Sequence, residues 1–175
     1  ILPLLGVHSI YNCLLAIGVA LALDVTLEEI ENGIANLEAT AMRLEIFKKG
    51  DITVINDCYN ASPTSMKAAI DVLTEKSGKR KIAVLGFMAE LGDFTDDTHI
   101  DVGAYANKKG VDMLFTLKNV GELYCKGYGS MVQIFNSTEA LIKELINIAA
   151  SGDVILIKAS RSQHFEEITK GFLNN

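Results

Sequence analysis

The pattern of apolar and polar positions divides the chain into two regions. Before residue 42 the pattern is helical: it predicts a first helix over roughly residues 10–23, and Thr26 with Glu29 gives the T-x-x-E spacing of a capping box ahead of a second helix. From residue 43 onward, short apolar runs typical of strands alternate with segments of helical spacing. We therefore expect a helical segment followed by an α/β domain.

The second region predicts a sheet covered by helices on both faces. Strands are predicted at residues 43–47, 52–57, 81–87, 111–117, 131–135 and 153–159. Helices are predicted from Pro63, with Ser62 as N-cap, from near Thr95, after residue 135 and at the C-terminal end. The last strand carries an unbroken apolar run at residues 154–157, which suits a strand buried on both faces. The expected fold class is α/β, a doubly wound, Rossmann-like and mostly parallel sheet.

Composition supports a folded protein. The 175 residues are 49% hydrophobic and 22% charged, which is enough apolar material for a core and excludes a disordered chain. The formal net charge of −6 argues against a nucleic-acid partner, because phosphates require a basic surface. The most apolar stretch, residues 13–23, is too short for a membrane span of about 20 residues and predicts a buried helix.

The start of the chain and its cysteines indicate the cellular compartment. It starts at Ile1 without a basic N-terminal region, so we expect a fragment rather than a secreted precursor. The cysteines, Cys13, Cys58 and Cys125, lie far apart and predict neither a disulfide framework nor a metal site. Reduced thiols fit a cytoplasmic protein.

Candidate site residues follow from the predicted strand ends. In an open parallel sheet, ligands bind beyond the carboxyl ends of the strands, so a site is expected at Asp57, Gly86–Phe87, Thr116 and Ser160–Arg161. The sequence contains neither a P-loop nor a complete dinucleotide-binding glycine motif. Any nucleotide site formed by these residues is therefore expected to be partial.

The densest polar stretch runs from Asp57 to Pro63 and has two interpretations. Asp57 could accept hydrogen bonds from a vicinal diol such as a ribose, with Tyr59 as a stacking surface and Asn60 as donor and acceptor. Alternatively, Asp57 accepts from loop amides and Ser62 caps the next helix. The residues alone leave both interpretations open.

The other polar groups are equally ambiguous. Glu90, in a loop between two glycines, could bind an amine or remain a solvated carboxylate. Arg161 offers a planar fork to a carboxylate or phosphate, with the hydroxyl of Ser160 beside it. Alternatively, Ser160 or Ser162 caps the last helix and Arg161 pairs with Glu90 or faces solvent. A single histidine in a helix, His99, is expected to be a packing or surface residue rather than a base.

Several motifs, in the same order, resemble those of the Mur ligases. Residues 6–12 resemble the family's G-x-H-N-x-x-N segment, and residues 42–45 (MRLE) resemble its Arg-x-Glu at the junction of two domains. Residues 57–66 (DCYNASPTSM) resemble the signature D-x-Y-N-A-x-P-x-S-M. Residues 86–92 (GFMAELG) and 158–161 (KASR) match the family positions G-D-M-x-E-L-G and K-G-S-R. The resemblance covers essentially the whole chain.

The resemblance implies a domain organisation and an activity. Residues 1–41 would be the C-terminal helical tail of a central ATPase domain, and residues 42–175 the C-terminal ligase domain. The full-length enzyme would be a cytoplasmic, ATP- and Mg²⁺-dependent amide ligase of peptidoglycan synthesis. It would add D-Ala-D-Ala to a UDP-N-acetylmuramoyl-tripeptide through an acyl phosphate. Because the phosphate-binding part lies outside these residues, the chain alone is expected to be inactive.

The resemblance also implies site roles. Nucleotide contacts would come from Asn12 (adenine), Arg43, Asp57 (ribose), Tyr59 and Asn60. Substrate contacts would come from Phe87, Glu90, Ser160 and Arg161, with Arg161 binding the free carboxylate of the dipeptide. No catalytic or metal-ligating residue is assigned. This chain has Ser9, Phe87 and Ala159 where the family pattern has Asn, Asp and Gly.

Two other functions are compatible with parts of the pattern. A free-standing flavodoxin-like regulatory or ligand-binding module is one, since phosphate receivers place an Asp and a Lys at strand ends, as Asp57 and Lys158 would be. The additional acidic pair that a receiver needs is not evident in the sequence. The second is another amide ligase of the same superfamily, such as a folylpolyglutamate synthase. The Y-N-A-x-P signature counts against this alternative.

Overall fold

The computed structural model describes residues 2–38, 40–129 and 131–175. The chain divides into two units, Ile1–Thr40 and Ala41–Asn175. Within the described ranges, no helix combines the length and the apolar character needed to cross a membrane.

The first unit consists of helices α1 (Val7–Ala22) and α2 (Leu27–Ala35). The predicted capping box is confirmed: the Thr26 hydroxyl accepts from the Glu29 amide, and Glu29 accepts from the Thr26 amide at 2.9 Å. The prediction of a buried helix over residues 13–23 is wrong, since none of the described residues of α1 is buried and Leu15 is 71% exposed. The reason is that α1 is apolar on most of its surface, and this unit supplies one short helix as a neighbour.

The second unit alternates strands and helices. Its strands are β1 (Glu45–Lys49), β2 (Ile52–Asn56), β3 (Lys81–Leu85), β4 (Met113–Leu117), β5 (Val132–Phe135) and β6 (Val154–Lys158). Its helices are α3 (Pro63–Glu75), α4 (Thr95–Lys108), α5 (Lys118–Tyr128), α6 (Thr138–Ile148) and α7 (Glu166–Asn174). Short 3-10 helices lie at Gly92–Phe94 and Arg161–Gln163.

The strands form one sheet in the order β1-β2-β6-β3-β4-β5. β1 pairs antiparallel to β2, and the remaining pairs are parallel. The predicted α/β, mostly parallel fold class is confirmed. Because β2, β6, β3 and β4 run in the same direction, their carboxyl ends lie along one edge of the sheet, which we call the carboxyl edge.

The centre of the sheet is its most buried part. β6 lies between β2 and β3 and is buried at every residue, as the apolar run at residues 154–157 predicts. On one face, Leu141 and Leu145 of α6 and Phe172 of α7 join the strands in a single apolar core. α3 and α5 contact the sheet as well, so helices enclose the strands and leave the carboxyl edge for polar loops.

Helix α5 is missing from the prediction, which has no element between residues 117 and 131. The helix begins directly after β4, and within the described residues no side chain caps its first turn. It also contains two glycines, which lower helix propensity. One of them, Gly127, packs so closely on α4 that a Cβ atom there would lie 1.9 Å from the carbonyl oxygen of Ile100. The close packing of the two helices therefore requires glycine at position 127, and the same glycine weakens the helical pattern in the sequence.

Candidate functional site

Loops from three strands meet at the carboxyl edge, as the sequence predicts. The Asp57 amide donates to the Ile157 carbonyl at 2.9 Å, which joins the end of β2 to β6. The Ser160 amide donates to the Phe87 carbonyl at 3.0 Å, which joins the chain after β6 to the loop after β3. These bonds bring Asp57, Phe87 and Ser160 into one region of the molecule.

Asp57 is held by partners from two other segments. Its Oδ1 accepts from the Leu44 amide at 3.1 Å, and its Oδ2 pairs with Lys158 Nζ at 2.6 Å. The side chain retains 13% of its accessible surface. The structure thus contains the loop-amide contact of the structural interpretation. Each carboxylate oxygen has a further lone pair, so the predicted ribose contact stays a prediction.

Lys158 is the residue of this edge that the sequence-based site omits. Its side chain is only 2% exposed, and besides Asp57 Oδ2 its Nζ donates to the Asn60 carbonyl at 2.8 Å. Lysine is almost never fully buried unless it is paired. A lysine directly after four buried apolar residues at the end of a central strand is the sequence signal that could have identified it.

An exposed platform lies beside Asp57. The Arg43 guanidinium carbon lies 4.2 Å from the centre of the Tyr59 ring, a cation–π contact, and both residues are exposed. The Tyr59 amide donates to the Met42 carbonyl at 3.1 Å. The neighbouring Asn60 is also exposed, and its Oδ1 accepts from the next backbone amide at 2.8 Å. The structure therefore brings Arg43, Asp57, Tyr59 and Asn60 together.

Ser160 ties two loops of the edge together. Its hydroxyl oxygen accepts from the Ala89 amide at 2.8 Å and lies 3.5 Å from the Ala61 carbonyl. The alternative in which Ser160 caps the last helix is therefore wrong. The predicted cap at Ser62 is confirmed, and there Ser65 completes a capping box at the start of α3. Ser160 is buried, and its predicted substrate contact stays a prediction.

Arg161 is paired within the chain. Its Nη1 lies 2.7 Å from Glu166 Oε1 and 3.1 Å from Met42 Sδ, while the side chain remains 52% exposed. The expected pairing with Glu90 is wrong, because Glu166 lies in the first turn of the helix that follows Arg161 and is the nearer carboxylate along the chain. Glu90 is exposed at a positive φ of 64°. The exposed parts of the Arg161 and Glu90 side chains are both accessible to a ligand.

His99 is a packing residue, as expected. Its Nε2 accepts from the Met88 amide at 2.9 Å and its Nδ1 lies 2.6 Å from the Thr95 carbonyl, so Nδ1 carries the proton of a neutral ring. Burial lowers the pKa of His99. Phe87, where the family pattern has Asp, stacks on this ring with centroids 5.3 Å apart. The loop after β3 is thus held by apolar packing.

Three other residues singled out in the sequence differ in their burial. Thr116 is fully buried, so the expectation that it lines the edge is wrong; α5 begins directly after β4 and contacts this strand. The buried Cys58 lies 3.3 Å from the Ile157 carbonyl, and burial raises its pKa to about 12. Its thiol is therefore protonated and unreactive. Asn12 is exposed on α1 in the first unit, and its adenine contact stays a prediction.

Among the described residues there is no group of three or more His, Cys, Asp or Glu side chains that could hold a metal ion. The polar groups described at the carboxyl edge are the paired carboxylate of Asp57, the exposed Arg43–Tyr59 platform, the exposed carboxylate of Glu90 and the guanidinium of Arg161.

Comparisons with known proteins agree with these motifs. The sequence model described as "Mur ligase, glutamate ligase domain" matches residues 42–161. The chain is 35% identical to the UDP-N-acetylmuramoyl-tripeptide–D-alanyl-D-alanine ligase of Bacillus subtilis, covering 99% of this chain and 40% of the relative. It is also 35% identical to the enzyme of the same name from Escherichia coli, covering 100% of this chain and 39% of that protein.

Solved structures give the same result. A crystal structure of MurF from Acinetobacter baumannii superposes with a TM-score of 0.92 at 30% identity, covering 99% of this chain and 39% of that one. MurF from Thermotoga maritima in complex with ADP gives 0.84 at 25% identity, covering 97% and 39%. The chain spans about 40% of the length of the relatives that it matches. It belongs to the Mur ligase family.

Proposed function

We propose that this chain is the C-terminal part of a UDP-N-acetylmuramoyl-tripeptide–D-alanyl-D-alanine ligase, a cytoplasmic enzyme of peptidoglycan synthesis. The observation that carries the proposal is the 35% identity to the Bacillus subtilis ligase across 99% of this chain. The segment from Asp57 to Met66 supports it, because it matches the signature of this member of the family. In this reaction ATP activates the peptide carboxylate as an acyl phosphate, which the dipeptide amine attacks.

The two units have different origins in this proposal. Residues 42–175 are the C-terminal ligase domain, and residues 1–41 are the helical tail of the central ATPase domain. The exposed apolar surface of α1 supports the second assignment, since such a helix is stable when other helices or strands cover it.

Within the second unit, the nucleotide half of the site is formed by Arg43, Asp57, Tyr59 and Asn60. The adenine contact of Asn12, in the first unit, is a separate part of the proposal. Asp57 suits ribose hydroxyls because each of its oxygens uses one lone pair within the chain and has another free. The exposed ring of Tyr59, with Arg43 against it, offers a flat surface beside that carboxylate. These residues fit the nucleoside part of ATP, and its phosphates and Mg²⁺ would be held mainly outside this chain.

The dipeptide half of the site is formed by Phe87, Glu90, Ser160 and Arg161. Arg161 suits the free carboxylate of D-Ala-D-Ala, because Glu166 engages one end of its guanidinium fork and leaves other N–H groups to a ligand. The exposed carboxylate of Glu90 suits the dipeptide ammonium group before it loses its proton.

The proposal is tested by measuring phosphate release. We expect the complete polypeptide that carries this chain to release phosphate from ATP only when both the UDP-linked tripeptide and D-Ala-D-Ala are present. The chain of residues 1–175 alone should release none, because it has no P-loop. Equal release without a dipeptide, or with any amine in its place, would contradict the assignment.

A substitution tests the nucleotide half. In the complete enzyme, Asp57→Ala should raise the KM for ATP by the equivalent of about 1–3 kcal/mol, which is the cost of leaving buried hydrogen-bonding groups without their partner. Asp51→Ala is the matched control, because Asp51 is exposed in the turn at the other end of β2. An unchanged KM in the Asp57 variant would remove this residue from the site.

A further inference from the structure

The proposed function leaves a buried cation without a role. Lys158 Nζ lies 2.6 Å from Asp57 Oδ2, 2.8 Å from the Asn60 carbonyl and 3.4 Å from the Asp57 carbonyl. An ammonium group has three N–H donors, so these oxygens engage all of them. With 2% of its side chain exposed, Lys158 has neither the surface nor a free donor with which to bind a ligand directly.

Such an arrangement is costly for stability alone. Removing an ammonium group and a carboxylate from water carries a desolvation penalty that their attraction only partly offsets, so an apolar pair can be as stable. The contacts of Lys158 do more than neutralise charge, because they join β6 to two points of the loop after β2. One is the side chain of Asp57 and the other is the backbone of Asn60, and both belong to the proposed nucleotide site.

We propose that Lys158 is a positioning residue for the nucleotide ribose, which acts by holding the carboxylate of Asp57 in a single orientation. The inference rests on the proposed function, since it deepens the role of Asp57. With Oδ2 fixed by Lys158 and Oδ1 by the Leu44 amide, the carboxylate cannot rotate. Its free lone pairs then have defined directions, which is what two neighbouring hydroxyl groups require. The bond to Asn60 holds the loop that carries Tyr59 in place.

The test compares the binding of two nucleotides by the complete enzyme. ADP and 2′,3′-dideoxy-ADP differ only in the ribose hydroxyls, and calorimetry gives both dissociation constants without turnover. We expect the unmodified enzyme to prefer ADP by about tenfold or more, as for a hydrogen bond to a charged group. In Lys158→Met the preference should fall to about twofold or less, and Lys158→Arg should recover part of it, because that change keeps the charge.

Two comparisons separate positioning from a general loss of structure. Lys67→Met is the matched control, since Lys67 forms an ion pair with Asp101 on the helix surface, and it should keep the full preference. The KM for D-Ala-D-Ala should change less than twofold in Lys158→Met. Equal weakening of both nucleotides and of the dipeptide would overturn the proposal, as would an unchanged preference for ADP.

A double variant covers the case in which Lys158→Met alone does not fold. Asp57→Asn with Lys158→Met removes both charges together, which avoids an unpaired buried carboxylate. Its ribose preference should equal that of Asp57→Asn alone, because Lys158 acts through Asp57. A further loss in the double variant would overturn the proposal. Because nucleotide binding is measured without the dipeptide, absence of dipeptide-dependent phosphate release would count against the proposed function alone.

Discussion

At the scale of single residues, the candidate site depends on partners that are remote in sequence. The sequence predicts Asp57 and Arg161 as polar groups at strand ends, and both lie where expected. Lys158, the partner of Asp57, is 101 positions away; Arg161 contacts Met42, 119 positions away, in addition to the nearby Glu166. Residue type and strand position could therefore be predicted, whereas the long-range contacts could not, because they depend on how the strands are ordered in the sheet.

His99 gives the second unit a pH dependence. The buried, neutral ring accepts from Met88, and burial lowers its pKa from the ordinary value of 6.5. Below that value the unfolded chain binds a proton that the folded chain does not, so the free energy of unfolding should fall as pH drops below about 6.5. The slope from this group should be at most about 1.4 kcal/mol per pH unit.

Urea unfolding between pH 7.5 and pH 5.5 measures this effect. In His99→Gln, a side-chain oxygen that does not titrate can accept from Met88, so the slope with pH should become smaller even though the variant is less stable. The control is His8→Gln, which changes an exposed histidine and should keep the slope. An equal slope in the unmodified protein and in His99→Gln would contradict the role of His99.

At the scale of elements, helices whose starts depend on local caps are predicted from the sequence, whereas a helix shaped by tertiary contacts is not. The caps at Thr26 and Ser62 are local, and the sequence predicts both helix starts correctly. Helix α5 is not predicted because its glycines serve tertiary contacts rather than the helix itself: Gly127 packs on α4, and Gly121 packs on Ile134 of β5. A Cβ at Gly103, in the facing helix, would likewise lie 2.9 Å from the Tyr124 carbonyl.

Two glycine substitutions test the contact between α4 and α5. Gly127→Ala should lower the free energy of unfolding by about 3 kcal/mol, because the new methyl group meets the backbone of α4. Gly171→Ala is the matched control in α7, where the methyl group meets the movable end of the Ile142 side chain; it should cost less than about 1 kcal/mol. Chemical denaturation of both variants measures these changes in the free energy of unfolding. Equal changes would contradict the close contact between α4 and α5.

At the scale of the whole molecule, the alternation of strands and helices is sufficient to predict the fold class. It does not give the strand order, in which the last strand, β6, is inserted between β2 and β3. The apolar pattern of α1 also leads to a wrong prediction of burial, because this helix, apolar on most of its surface, is exposed within a unit of two helices. Burial depends on what surrounds an element, and the sequence of the element alone does not contain that information.

The second unit should fold by itself. Residues 41–175 contain the entire sheet and its apolar core, and at the end opposite the carboxyl edge Arg80 pairs with the buried Asp153. Expressed alone, these residues should unfold in urea in one transition, with coincident midpoints from circular dichroism and tyrosine fluorescence. Separate midpoints from the two probes would contradict a single transition, and the absence of any cooperative transition would show that the core depends on residues outside this range.

The outermost strands of the sheet have a consequence for solubility. A strand with unpaired backbone groups invites another chain to add to it, and proteins prevent this with short strands and with lysine. Here β5 has only four residues, and β1 has five, with the exposed Lys48 among them. We expect concentrated solutions of the second unit to resist the formation of β-rich aggregates.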